Sequence, residues 1–223
     1  MADYCGVRND FFESDWRINM EPNKIAMQVK KWYQPHHTLI VGMDGLGGAG
    51  KSTLSESLYQ LLSEEHYNIV VLHIDDFIHP RAIRYEQGYA AWECYYYRQW
   101  RYDYLIEEII KPIRLDNPLR KEIELYDKEH DIYRLHRIDI PVGSIVIIEG
   151  VFLQREELKG VFDDMIYIDV PEEIRWNRVL ARDGYIGDSH QIQEKYERRY
   201  FPAEHYYLRT CAPKENADYV IEV

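Results

Sequence analysis

The apolar residues of this chain fall into short runs separated by helical periods. "TLIVGM" (38–43), "NIVVLHID" (68–75), "SIVIIEG" (144–150) and "DMIYIDV" (164–170) are apolar without alternation, as strands buried on both faces are. "DYVIEV" at the end predicts a fifth strand. Between these runs the period changes. Ile25, Val29 and Trp32 share one helical face before Pro35, and Leu54, Leu58, Leu61 and Leu62 share another. "PEEIRWNRVLARD" predicts a helix starting at Pro171, and "SHQIQEKYERRYFPAEHYYL" a helix interrupted at Pro202. The alternation predicts an α/β three-layer sandwich, a mainly parallel five-stranded sheet with helices on both faces.

Residues 80–143 break the alternation. "HPRAIRYEQGYAAWECYYYRQWRYDYL" is crowded with Tyr and Trp, and "KEIELYDKEHDIYRLHRIDI" alternates as a β-hairpin does. This stretch reads as an insertion over one end of the sheet that selects a substrate. Its aromatic residues fit core packing, a homo-oligomer surface or stacking on a base. The chain reads as one domain over 1–223, with a helical extension at 1–35, the insertion at 80–143 and a lid at 183–200.

Composition narrows the classes. The 223 residues are 46% hydrophobic and 30% charged, enough for one globular core. The apolar runs are strand-sized, so no membrane partner is expected. The acidic N-terminus lacks an apolar signal core, which predicts a cytoplasmic protein. A net charge of -12 disfavours a nucleic-acid partner. Cys5, Cys94 and Cys211 lack metal-ligand spacing; Cys94 and Cys211 read as packing residues.

The chemistry begins at "GLGGAGKS" (45–52), which satisfies G-x-x-x-x-G-K-[ST] between a predicted strand and a predicted helix. Glycines let backbone N–H groups approach an anion, and the following helix points its positive end at it. The loop is therefore a nucleotide triphosphate site of the P-loop NTPase kind, for ATP. Gly45, Gly47, Gly48, Ala49, Gly50 and Thr53 would form the cradle. Lys51 would meet the β- and γ-phosphates, and the Ser52 hydroxyl would ligate Mg²⁺. Asp75 ends the second predicted strand and Glu149 the third, so both point into the crevice beyond the strand ends. Glu149 is assigned to Mg²⁺. Asp75 is assigned as general base, with a share in the metal, over Asp76, which alternation would send to the opposite side. Arg175, Arg178 and Arg182 share a helical face that would neutralise phosphoryl charge. Arg198 or Arg199 would join them. Arg81, Arg84, Tyr126, Asp127 and His130 are candidates to orient an acceptor, while His36 and His37 read as surface residues.

"GGAGKST", "HIDDFIHP" (73–80), "IIEGVFL" (147–153), "IDVPEEIRWNRVLARD" (168–183) and "ADYVI" (217–221) together resemble the uridine kinase family, relatives of pantothenate kinase and phosphoribulokinase. The resemblance runs from about Leu39 to Val223. It implies that the D-x-F segment carries the catalytic Asp, here Asp75, with Asp76 and Phe77 beside the acceptor. It implies Glu149 of the E-G pair for Mg²⁺, and a lid arginine preceding an Asp, here Arg182 and Asp183. The sequence departs from the family in three places. Ile78, His79 and Pro80 follow where Tyr is usual; "GYIGDSH" has no arginine where the lid has R-G-R; and the Y-D, His and Arg of "YDKEHDIYR" are shifted. The expectation is an ATP- and Mg²⁺-dependent small-molecule kinase acting on a hydroxyl, foremost of a nucleoside. A pantothenate-like or sugar-phosphate acceptor, and a non-catalytic ATP-binding regulator, stay open.

Overall fold

The sheet has the order β2-β5-β1-β6-β7, with every neighbouring pair parallel. The computed structural model describes residues 21–223; the readings made on residues 1–20, the acidic N-terminus and Cys5 among them, lie outside the described residues. The strands are β1 (Leu39–Gly45), β2 (Ile69–His73), β5 (Ile145–Gly150), β6 (Asp164–Asp169) and β7 (Tyr219–Glu222). β3 (Leu119–Asp127) and β4 (Ile132–Ile140) form a separate antiparallel hairpin. The helices are α1 (Pro22–Trp32), α2 (Lys51–Glu64), α3 (Arg81–Arg84), α4 (Ala91–Tyr97), α5 (Tyr102–Leu105), α6 (Lys111–Arg114), α7 (Glu172–Arg182), α8 (Ser189–Lys195), α9 (Phe201–Cys211) and α10 (Pro213–Asn216). Among the described residues, no helix is long and apolar enough to cross a membrane.

Alternate residues of each strand feed two cores. Leu39, Val41 and Met43 of β1 join Ile145 and Ile147 on the face covered by α1 and α2. Ile40 joins Val146 and Ile148 on the other face, under Leu105, Ile109, Ile113 and Tyr207. Each fully buried aliphatic side chain contributes about 1.5–3 kcal/mol, which explains why the middles of these strands are apolar. β1 lies between β5 and β6, so the chain leaves β1 to one side and later returns to the other. A crevice opens at such a reversal.

Residues 80–143 do more than cover the sheet's end, because α5, α6 and the turns between them supply one outer layer. Tyr96, Trp100 and Tyr102 are buried there as core residues, whereas Tyr85, Tyr89 and Tyr97 are exposed. The helix expected to break at Pro202 instead runs through it. A π-turn at Tyr196–Tyr200 ends two residues before Pro202, and a second at Ile106–Ile110 ends two before Pro112. Proline lacks an N–H and its ring crowds the carbonyl four residues back, so a widened turn accommodates it without ending the helix.

Candidate active site

β1 ends in the phosphate loop, and α2 begins at Lys51. Gly48 has φ 78°, and a Cβ there would lie 2.8 Å from the Arg175 carbonyl oxygen, so no other residue fits. Three loop N–H groups are already engaged: Gly45 donates to Asp44 Oδ1 (2.8 Å), Gly47 to Glu204 Oε1 (2.9 Å) and Ala49 to Leu46 O (3.1 Å). The cradle expected from all of Gly45–Thr53 is thus narrower. The N–H groups left for it are those of Gly48, Gly50 and the first turn of α2, Lys51 to Thr53, which precede any intrahelical acceptor. The Ala49 side chain is fully buried.

Lys51 Nζ donates to Gly45 O (2.8 Å) and Leu46 O (3.0 Å). Burial holds its ammonium below the ordinary lysine range, while the charges of Glu149, Asp44 and Asp75 pull it back. In register, Glu149 lies beside Met43 of β1 and His73 of β2. Its Oε1 accepts from Ser52 Oγ (2.9 Å) and meets His73 Nδ1 (2.5 Å). Burial pushes Glu149 up, but the hydrogen bond with His73 and the charge of Lys51 outweigh it and hold the carboxyl below its ordinary value. The same bond raises His73, against the effect of its own burial. His73 was not singled out in the sequence, although it sits two residues before Asp75, where alternation places a neighbour.

Asp75 and Asp76 do not end a strand. β2 stops at His73, and Ile74–Asp76 form a 3₁₀ turn. The alternation argument that separated the two carboxylates therefore fails, and electrostatics separates them instead. Asp75 is exposed to solvent, while protein atoms crowd its carboxyl from most sides. This crowding raises its carboxyl; Lys128 lowers it, Glu149 raises it, and Lys51 and Arg182 lower it. Asp76 is also raised by burial, but its cationic neighbours are His73 and Lys128. Lys128 thus acts on both carboxylates, while Lys51 and Arg182 act on Asp75 and His73 acts on Asp76. Phe77, expected near the acceptor, is a core residue only 1% exposed.

The three helix arginines diverge. Arg175 is buried: its Nη1 reaches Gly47 O (3.1 Å) and Glu204 Oε2 (2.9 Å), and its Nε donates to Val170 O (3.1 Å). It straps the loop and does not face the crevice. Arg178 Nη1 donates to Gly48 O (3.1 Å) and Ala49 O (3.3 Å), at the rim of the loop. The Arg182 side chain is 62% exposed, and its Nε donates to Asp183 Oδ1 (2.6 Å). Arg198 is exposed and pairs with Glu194 (3.1 Å). Arg199 is buried and donates to Gln99 Oε1 (2.8 Å) and Ala91 O (3.1 Å), so its fork is spent on these partners.

Glu204, which no sequence signal marks, completes the strap on Gly47. Burial pushes its carboxyl up, and Arg175 with the Gly47 N–H pulls it back. Removing one partner of a buried pair leaves an uncompensated charge. Glu204→Leu is expected to cost about 3–5 kcal/mol in chemical denaturation. Adding Arg175→Met should recover most of that, yet raise KM for ATP because Gly47 is released. An unchanged denaturation midpoint in Glu204→Leu would contradict this.

Two surface cavities differ in their chemistry. The larger, about 670 Å³, is bordered by Tyr97, Arg155, Asp164, Tyr206 and Cys211, away from the phosphate loop. The other, about 610 Å³, is bordered by Asp76, Tyr126, Asp127, Lys128, Arg134 and His136, and so adjoins the candidate base. Tyr126 is buried; its hydroxyl donates to Asp131 Oδ1 (2.6 Å) and accepts from Arg84 Nη2 (2.6 Å). Arg84 is thus brought to Tyr126 as a support for the hairpin. Arg81 is exposed and contributes its backbone N–H to Asp131 (2.9 Å). His130 is exposed on the β3–β4 turn, with Nδ1 2.8 Å from Asp127 Oδ2. Lys128, between them in sequence, carries the charge that acts most strongly on Asp75, and it escaped the sequence reading. His37 is exposed and pairs with Asp116 (3.1 Å). Cys94 and Cys211 are free thiols, buried and half-buried.

A model of the phosphoribulokinase / uridine kinase family matches residues 40–223. A uridine kinase of Borrelia garinii subsp. bavariensis is 27% identical over 192 residues, covering 82% of this chain and 85% of its own length. A uridine kinase of Clostridium novyi is 25% identical over 153 residues, covering 65% and 68%. A solved chain described as a possible uridine kinase from Bacillus stearothermophilus superposes with a TM-score of 0.75 at 30% identity, covering 92% of this chain and 98% of that one. A D-glycerate 3-kinase from Cryptococcus neoformans, 14% identical, shares the fold with a TM-score of 0.62 over 90% of this chain and 93% of its own.

Proposed function

The chain belongs to the phosphoribulokinase/uridine kinase family, and from that premise we propose that it transfers the γ-phosphoryl group of ATP to the hydroxyl of a small molecule, foremost a nucleoside. The observation that carries this reading is the convergence of Lys51, Ser52, Asp75 and Glu149 at the mouth of the phosphate loop. In the reaction, Asp75 accepts the proton of the acceptor hydroxyl as its oxygen attacks the γ-phosphorus. The bond to the bridging oxygen breaks, and ADP leaves with that electron pair. Lys51 and Arg182 offset the charge on the phosphoryl oxygens, and Gly48, Gly50 and the start of α2 hold the rest of the chain of phosphates.

Ser52 Oγ and Glu149 Oε1 are hard oxygen donors 2.9 Å apart, with Asp75 in electrostatic contact with Glu149. This donor set fits Mg²⁺, and these three residues would hold it, directly or through water. Bound there, the ion would supply positive charge to the β- and γ-phosphate oxygens.

The nucleoside reading rests on the likeness to uridine kinases. A second reading is favoured by the cavity beside Asp76. Its border is mostly charged, Tyr126 is the one aromatic residue on it, and Lys128 stands next to the base. The border carries both signs, Lys128 and Arg134 beside Asp76, Asp127 and Glu129, so it suits a polar acceptor, and an anionic one such as a sugar phosphate or hydroxy acid would have to meet Lys128. The test is a panel of nucleosides and of anionic hydroxyl compounds with ATP and Mg²⁺, scored by mass for a product gaining one phosphoryl group. Phosphorylation of a nucleoside alone supports the first reading; of an anionic compound alone, the second. No phosphorylated product from either set would contradict both.

A further inference from the structure

Asp183 is 2% exposed and lies where α7 ends. Its Oδ1 accepts from Arg182 Nε (2.6 Å), and its Oδ2 from Arg182 Nη2 (3.2 Å) and from Tyr196 Oη (2.7 Å). Tyr196 is itself buried, in a small core of Val179 and Ile192 separate from the two cores on the sheet. Trp176 packs edge-on against its ring at 5.4 Å. The Asp183 backbone is fixed too: its N–H donates to Val179 O (2.8 Å) and its carbonyl accepts from Ile186 N (2.9 Å). The region around Arg182 therefore has its own hydrophobic centre, with one carboxylate beside it.

A guanidinium has five N–H donors in a rigid fork. Asp183 takes two of them along one edge and leaves the opposite edge of this exposed side chain to solvent, near enough for the Arg182 charge to act on Asp75. A mobile exposed arginine would lose rotamer freedom on meeting the phosphoryl group; an anchored one has lost it beforehand. Residues 184–190 contain no arginine, so no neighbour in that run can substitute for Arg182 if it is misaimed.

We propose that Asp183 and Tyr196 are positioning residues that lock the Arg182 fork toward the transferred phosphoryl group, with the aromatic core around Tyr196 as the anchor. This rests on the kinase reading. Tyr196→Phe keeps the ring in its core and removes only the hydroxyl. It should lower kcat about tenfold or more while KM for ATP stays within about twofold. In an Arg182→Ala background the same change should lower kcat no further, because the residue acted upon is gone.

The experiment is the double-mutant cycle of Tyr196→Phe and Arg182→Ala. It is read by kcat and by the solvent-exchange rate of the Arg182 Nε–H in nitrogen-edited NMR. A loss confined to the native background, with exchange at least about tenfold faster in Tyr196→Phe, supports the anchor. An equal loss in both backgrounds, no loss at all, or unchanged exchange would overturn it. If the native protein phosphorylates nothing, the kinase reading falls, and the exchange rate still decides whether Tyr196 holds the fork.

Discussion

Asp75→Asn is expected to lower kcat by about 10³-fold while ATP binding changes little, because a positioned general base supplies between ~10² and ~10⁴ in rate. Asn keeps the size and polarity of the side chain but cannot accept the hydroxyl proton. The loss corresponds to about 4 kcal/mol of transition-state stabilisation. It should appear in kcat, since Asp75 would act on the acceptor hydroxyl and not on the phosphates of ATP. Asp76→Asn is the control. Its cationic neighbours are His73 and Lys128, so its loss should fall mainly on KM for the acceptor. Steady-state rates with each substrate varied in turn separate the two outcomes. A large kcat loss in Asp76→Asn with little in Asp75→Asn would exchange the roles.

Lys51→Ala has the next largest expected effect. Its ammonium is buried among carbonyl oxygens and the carboxylates Glu149, Asp44 and Asp75, which together keep a cation in a place where burial disfavours one. Removing one preorganised charge from a phosphoryl-transfer site costs on the order of 10²–10³ in kcat. On the proposed reading Lys51 would also meet the phosphates of ATP, so KM for ATP should rise as well, unlike in Asp75→Asn. Titration with ATP and steady-state rates measure the two effects. Full retention of both by Lys51→Ala would remove the loop from the account.

The sheet, its flanking helices and the phosphate loop were legible because each has a local cause. Short unbroken apolar runs such as "IVII", bounded by turn residues, fit buried strands, and "GLGGAGKS" needs glycines for a backbone to approach an anion. Two kinds of feature were not legible. One is the exact end of an element: β2 stops at His73, so a rule for strands could not place Asp75 and Asp76. The other is pairing across distance. Glu204 is 157 positions from Gly47, yet holds its N–H, and Tyr196 is thirteen positions from Asp183, across a loop and the whole of α8. Helical spacing put Arg175, Arg178 and Arg182 on one face. It could not foresee that Arg175 would be consumed by Glu204 and Gly47, or that Asp183 would take one edge of the Arg182 fork.

The central claim is that Asp75 activates an acceptor hydroxyl at a phosphate loop charged by Lys51. The initial rate of ADP release from ATP and Mg²⁺ tests it most directly, measured with and without acceptor for the native protein and for Asp75→Asn. The account predicts ADP release that requires the acceptor and collapses in the variant. Release that proceeds equally without acceptor, and is unchanged by Asp75→Asn, would contradict it.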